Sequence, residues 1–182
     1  MGRLSQAIAE GDGISILVEV EDAAGANAAA KQGADALACR RGIHAVRASS
    51  QLPLLAFGSL LDAKGVDADA IAIAPELALW DEANAYGLEC VVRVSDAQGL
   101  EYALGAFDPE VFLLTAEAGS DEDPLDTLLE LLHDVPAGKL AIAELHDATP
   151  EEVAELERSG IDAVLVSPGE LAALVPKSAP EF

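Results

Sequence analysis

The stretch LAIAELHDATPEEV, Leu140 to Val153, is an apolar run that ends on one carboxylate, Glu144, just ahead of a complete helix start. Thr149 is placed to cap the helix, Pro150 suits its first position, and Glu152 stands three residues after the threonine, which completes a capping box. The stretch therefore reads as strand, short loop, helix. In a barrel built from such units the strand-to-helix junction is the working face, so Glu144 is a candidate functional residue from the outset.

Seven further runs share this character: ISILVEV (14–20), ALAC (36–39), PLLAF (53–57), AIAIA (70–74), CVVRV (90–94), EVFLLTA (110–116) and DAVLV (162–166). Each is bounded by glycine, proline or charged residues, as buried strands are. The connections 95–107, 123–135 and 149–160 carry apolar residues at helical spacing. Eight strands alternating with helices predict a parallel sheet closed into a single (βα)8 TIM-barrel domain over 1–182, with a short amphipathic helix within 1–13. The alternative is an open doubly wound sheet, in which ALAC or AIAIA would be helical. The 182 residues leave only about 23 per unit, so some helices must be stunted, and 41–51 and 58–69 are the candidates. The phrases KQGADALA (31–38) and ERSGIDAVLV (157–166) repeat one pattern: a polar helix end, a glycine, then Asp-Ala entering a strand. Gly33 and Gly160 are expected in the left-handed conformation that ends a helix.

Thirty-three acidic residues oppose ten basic ones, for a formal charge of −23. A field of that sign repels phosphate backbones and anionic lipid, which argues against nucleic acid or a membrane as partner. A local cluster of cations can still overrule it for a small anion. Cys39 and Cys90 sit among apolar neighbours and read as buried thiols, and their spacing is not that of a metal site. No run approaches the length of a membrane span and residues 1–13 lack a signal-peptide core, so a cytoplasmic location is expected. A homo-oligomer is compatible with everything above; no metal and no cofactor is expected.

Alternation along the strands selects the side chains at the barrel mouth. In the first run Glu19 and Glu21 share a face with Leu17, opposite Val18 and Val20; Arg93 points inward between Val92 and Val94; Glu144 stands above Ile142. Phe57 ends the third run and Thr115 lies near the end of the sixth. Arg40, Arg41, His44, Asp96, Glu117, His146, Asp147 and Ser167 follow strands. Charges in a narrow barrel must be paired, and Arg93 is expected to bridge to Glu19 or Glu144. The set is either a polar plug or a site, with Glu19, Glu144 and Arg93 as catalytic candidates and Glu21, Thr115, His146 and Ser167 as ligand-binding ones. The acidic loop 119–124 has no regular ligand spacing for calcium.

GADAL (33–37), LPLLAF (52–57), YGLECVVRVSDAQGLEYAL (86–104), AIAELHDATPEEVAELERSGIDAVLV (141–166) and the glutamate of VEV (18–20) together resemble indole-3-glycerol-phosphate synthase. That resemblance implies a TIM barrel, a lyase-like kinship and an association with tryptophan biosynthesis. The family closes a phosphorylated carboxyphenylamino sugar to an indole, using a strand-three lysine as general acid, glutamates from strands one, five and seven, and a strand-one lysine. Carried over, Glu19 and Glu144 match the glutamates of strands one and seven. Glu21 stands where the strand-one lysine is expected, Phe57 replaces the general acid, and Arg93 replaces the strand-five glutamate. Thr115 is near the strand-six asparagine. Leu145-His146 replaces the Ser-Gly of the phosphate site, Ser167-Pro168 replaces the later glycine, and the family's N-terminal extension is not seen.

A phenyl ring cannot donate a proton, so the family's own reaction is not expected here. The expected function is a non-catalytic or ligand-binding homologue, a pseudoenzyme that keeps the scaffold. The alternative is an active lyase or isomerase on a small phosphorylated or carboxylated metabolite, with Glu19 and Glu144 as acid-base groups and Arg93 as anion anchor. A third reading is a minimal structural scaffold, favoured by the short loops.

Overall fold

The computed structural model describes residues 2–117, 119 and 121–174. Met1, Ala118, Ser120 and residues 175–182 fall outside the described residues, and with them the two ends of the expected 1–182 domain and part of the acidic loop. The eight runs become strands β1 (Ser15–Glu19), β2 (Ala36–Cys39), β3 (Leu54–Phe57), β4 (Ala70–Ile73), β5 (Glu89–Val94), β6 (Val111–Thr115), β7 (Leu140–Glu144) and β8 (Ala163–Val166). They close in chain order, all parallel, with β1 paired to β8 through Ser15 and Ala163 up to Val18 and Val166. The open-sheet alternative is thereby excluded, since ALAC and AIAI are both strands.

Helix α1 (Arg3–Ala9) precedes the barrel, and α2 (Ala23–Lys31), α3 (Ile43–Ser49), α4 (Leu60–Gly65), α5 (Leu77–Ala85), α6 (Ala97–Ala106), α7 (Pro124–His133), α8 (Pro150–Ser159) and α9 (Leu171–Leu174) lie between and after the strands. Of the helices between strands, α3 and α4 are the shortest, at seven and six residues. Their brevity is what lets eight units fit in so short a chain.

Alternation sorts the core into two clusters. Outward side chains such as Ile16, Val18, Val92, Val94 and Phe112 are buried under the helices. Inward ones, including Leu17, Leu55, Val91, Leu113, Ile142 and Leu165, fill the barrel lumen. Ala36, Ala38, Ala70 and Ala163 belong to the same inner cluster. These small side chains leave room at the bottom for α1, whose Leu4 and Ile8 insert among them. Glu89 holds that helix by accepting hydrogen bonds from the Gly2 and Ser5 amides, both at 3.3 Å.

The repeated Asp-Ala phrase has a structural purpose at this lower rim. Strands in a barrel are staggered, so an amide at the start of one strand meets no carbonyl on its neighbour. Asp35 accepts from Ile16 N at 2.8 Å, Asp69 from Leu54 N at 2.9 Å and Asp162 from Ala141 N at 2.8 Å. Each aspartate satisfies an amide of the preceding strand. Gly33 and Gly160, two residues before Asp35 and Asp162, adopt φ of +86° and +97°, as expected of residues that end helices.

Candidate functional site

The upper rim gathers its charges on β1, β2, β5 and β7. Glu19 ends β1 with Leu17 below it, and Glu144 ends β7 with Ile142 below it. Between them lies Arg40, the residue that follows β2. Its Nε is 3.2 Å from both oxygens of Glu19, its Nη2 donates to Glu144 Oε1, and its guanidinium carbon lies 3.9 Å above the centre of the Phe57 ring. One arginine thus joins two carboxylates and stacks on an aromatic face, which its flat, delocalised cation is suited to do.

Arg93 does point inward and does reach Glu144, with Nε 3.6 Å from Oε2, but it makes no bridge to Glu19 and is 48% exposed. The expected bridge from Arg93 is thus made to Glu144, while the centre of the cluster is Arg40, which joins both carboxylates. The reason is the length of the inward face of β2. Ala36 and Ala38 point into the lumen, so a third step of the same alternation puts Arg40 over it. That signal was available in the sequence, because ALAC is followed at once by arginine.

The side chain of Glu144 is 8% exposed, and its Oε2 has no hydrogen-bond donor among the described residues. A buried carboxylate is costly unless matched, and the match here is the pair of arginines with His146. The His146 ring has Nε2 at 2.9 Å from Glu144 Oε1 and Nδ1 at 3.7 Å from Glu19 Oε2. Its backbone carbonyl accepts from Ser167 N at 2.9 Å, which ties the β7 and β8 loops together. Glu19, Glu144 and His146 present ligand atoms within 4.8 Å of one another, a spacing a cation could use. Any such ion would have to displace Arg40 from both carboxylates.

Glu21 departs from expectation. Strand β1 ends at Glu19 and the chain turns toward Asp22, the N-cap of α2, so alternation stops before Glu21. Its side chain is exposed and pairs at 2.6 Å with Arg41, which is itself 78% exposed. Gly42 fixes this corner: its φ is +72°, and a Cβ there would lie 1.9 Å from the Glu21 carbonyl oxygen. Thr115 is buried, opposite Glu144 in the β6–β7 register, and its hydroxyl donates to Val94 O at 3.4 Å. Asp96 is a helix cap, accepting from Gly99 N at 2.7 Å. Cys39 and Cys90 are buried as expected, and burial pushes the Cys90 thiol up to about 11.

Three clefts open around this cluster. The first, about 680 Å³, runs over β3 to β6 and is lined by Phe57, Arg40, Arg93, Ser95, Thr115 and Glu117 among others. The second, about 620 Å³, lies over β1, β7 and β8 against Glu19, Glu21, Asp22, His146 and Ser167. The third, about 470 Å³, sits over β2 and β3 against Arg40, Arg41, His44 and Asp62. The arginines of the rim thus line the clefts over β2 to β6, whereas Glu19, Glu21 and Asp22 line the cleft over β1, β7 and β8.

A closed, all-parallel barrel of eight strands alternating with helices defines the class, a (βα)8 barrel. No family model matches the chain. It is 31% identical over 157 residues to indole-3-glycerol phosphate synthase of Dechloromonas aromatica (strain RCB), covering 79% of this chain and 59% of that one. It is 34% identical over 136 residues to the synthase of Verminephrobacter eiseniae (strain EF01-2), covering 66% and 50%. Among solved structures, N-acetylmannosamine-6-phosphate 2-epimerase from Clostridium perfringens superposes with a TM-score of 0.67 at 16% identity, over 88% of this chain and 87% of that one, a likeness of fold. The chain is a homologue of the indole-3-glycerol phosphate synthases, and it spans between half and three fifths of the length of these two relatives.

Proposed function

We propose that the chain is a small-anion-binding barrel on the indole-3-glycerol phosphate synthase scaffold, with Arg93 as the anchor for a carboxylate or phosphate and without the family's ring closure. The observation that carries this reading is the first cleft: Arg93 and Arg40 both line it, in a molecule of net charge −23. Arg40 is already matched by Glu19 and Glu144, whereas Arg93 is half exposed and only loosely paired, which leaves its fork free for an anion. Phe57 at the general-acid position of the resemblance supports the second half of the proposal, because nothing on a phenyl ring can be given up as a proton.

The test is a titration of inorganic phosphate and short carboxylates into the wild type and into Arg93→Gln, read by calorimetry and by thermal shift. Binding that saturates in the wild type and weakens about tenfold or more in Arg93→Gln is the expected result, the loss of one charge-assisted contact. Indole formation at an ordinary enzymatic rate from the family's precursor would overturn it.

A second reading is favoured by the His146–Glu144 contact, since an imidazole between two carboxylates can carry a proton. There the same site is a lyase or isomerase with Glu19 and Glu144 in acid-base roles. Glu144→Gln separates the two: it removes turnover of a bound metabolite under the second reading and leaves only an altered affinity under the first.

A further inference from the structure

The first and third clefts adjoin as the two parts of a divided groove. Both are lined by Arg40, Phe57 and Gly58, so the stacked Arg40–Phe57 pair is a septum between two ends. One end holds Arg93; the other holds Arg41 and His44. Of the ten lysines and arginines in the chain, three line this groove, and the carboxylates that line it are Glu117 at one end and Asp62 at the other. The acidic second cleft lies on the opposite side of the Glu19–Arg40–Glu144 wall.

We infer that the groove takes an elongated dianion, with one anionic group on Arg93, the other on Arg41 and His44, and an uncharged middle lying along Phe57. This rests on the reading of Arg93 as an anion anchor and extends it to a second subsite. Three features support the extension. Arg41 is 78% exposed and among the described residues pairs its charge with Glu21, itself exposed, and such surface pairs are worth little. Gly42 holds the Arg41 loop against the Glu21 backbone, so the second cation is set on a tight corner of chain. The septum offers the Phe57 side chain to the middle of a ligand, and the charge of Arg40 within it is engaged by both carboxylates.

Linking two weak contacts in one molecule makes the second effectively intramolecular, so a dianion of matching length exceeds a monoanion by more than either contact alone. The experiment uses the full chain at low ionic strength with alkane α,ω-dicarboxylates of increasing length, and acetate and butyrate as single-ended controls, followed by calorimetry. The expected result is one preferred length, bound at least about tenfold more tightly than the monocarboxylates. Arg41→Gln with His44→Gln brings that dicarboxylate down to the monocarboxylate level; Arg93→Gln weakens both ligands by about tenfold or more. Glu21→Gln, which frees Arg41, strengthens the dicarboxylate by about threefold, the size of one exposed ion pair. Both histidine and arginine changes are on exposed side chains and leave the fold intact by thermal unfolding. Equal affinity for every length, or indifference to the Arg41/His44 double change, overturns the second subsite while leaving the anchor at Arg93 standing. Absence of any anion binding in the wild type removes both.

Discussion

Asp162 shows how a single residue couples the barrel to pH. Its carboxyl is half-buried at the lower rim, and burial pushes it above the usual aspartate value, although the amides of Ala141 and Asp162 pull the other way. Because the folded chain holds the proton more tightly than the unfolded chain does, this group favours folding at low pH. That contribution fades as pH rises through its folded titration. Asp162→Asn keeps an oxygen to accept from Ala141 N and carries no charge, so its melting temperature relative to the wild type is expected to rise as the buffer is taken from below to above the carboxylate range. A difference that stays flat or falls would refute the assignment. The identity of Asp162 as a repeated feature was legible, since GADAL and GIDAVL look alike. Its task was not, because the amide it satisfies is on a strand beginning 22 residues earlier in the chain.

Among the elements, α8 was the easiest to read and is the simplest to test. Its start is decided within four residues: Thr149 Oγ1 accepts from Glu152 N at 3.3 Å, and Glu152 Oε2 accepts from Thr149 N at 2.7 Å. Thr149→Ala is expected to lower stability by about 1 kcal/mol in urea unfolding, with the slope unchanged. Helix α1 is the contrasting case. RLSQAIA shows a weak amphipathic pattern, and nothing in it says that Leu4 and Ile8 enter the lumen from below; that depends on four alanines contributed by β2, β4 and β8. Strand β2 shows how a boundary hides a site. Ending the run at Cys39 concealed that Arg40 continues the inward face, and so the hub of the rim passed for a loop residue.

For the whole molecule the governing quantity is the charge of −23, spread over a surface with few cations to offset it. Self-repulsion of that size opposes the compact state, and salt shortens its range from about 10 Å at 0.1 M to about 3 Å at 1 M. Raising sodium chloride across that interval is expected to stabilise the fold by about 1 kcal/mol or more, a rise in melting temperature of roughly 2–4 °C for a chain of this size. A melting temperature that does not move, or drops, would show that the paired charges of the rim outweigh the repulsion. The sequence alone determined the count and order of strands, the caps and the inward or outward facing of Glu19, Arg93 and Glu144, because those follow from contacts between residues one to four apart. Only the closed barrel decided which charges meet. Glu144 and Arg40 are 104 residues apart, and what brings them together is the ring that seats β2 and β7 on either side of β1 and β8. A pattern of alternation says which way a side chain points, and the curvature of the sheet says what it finds there.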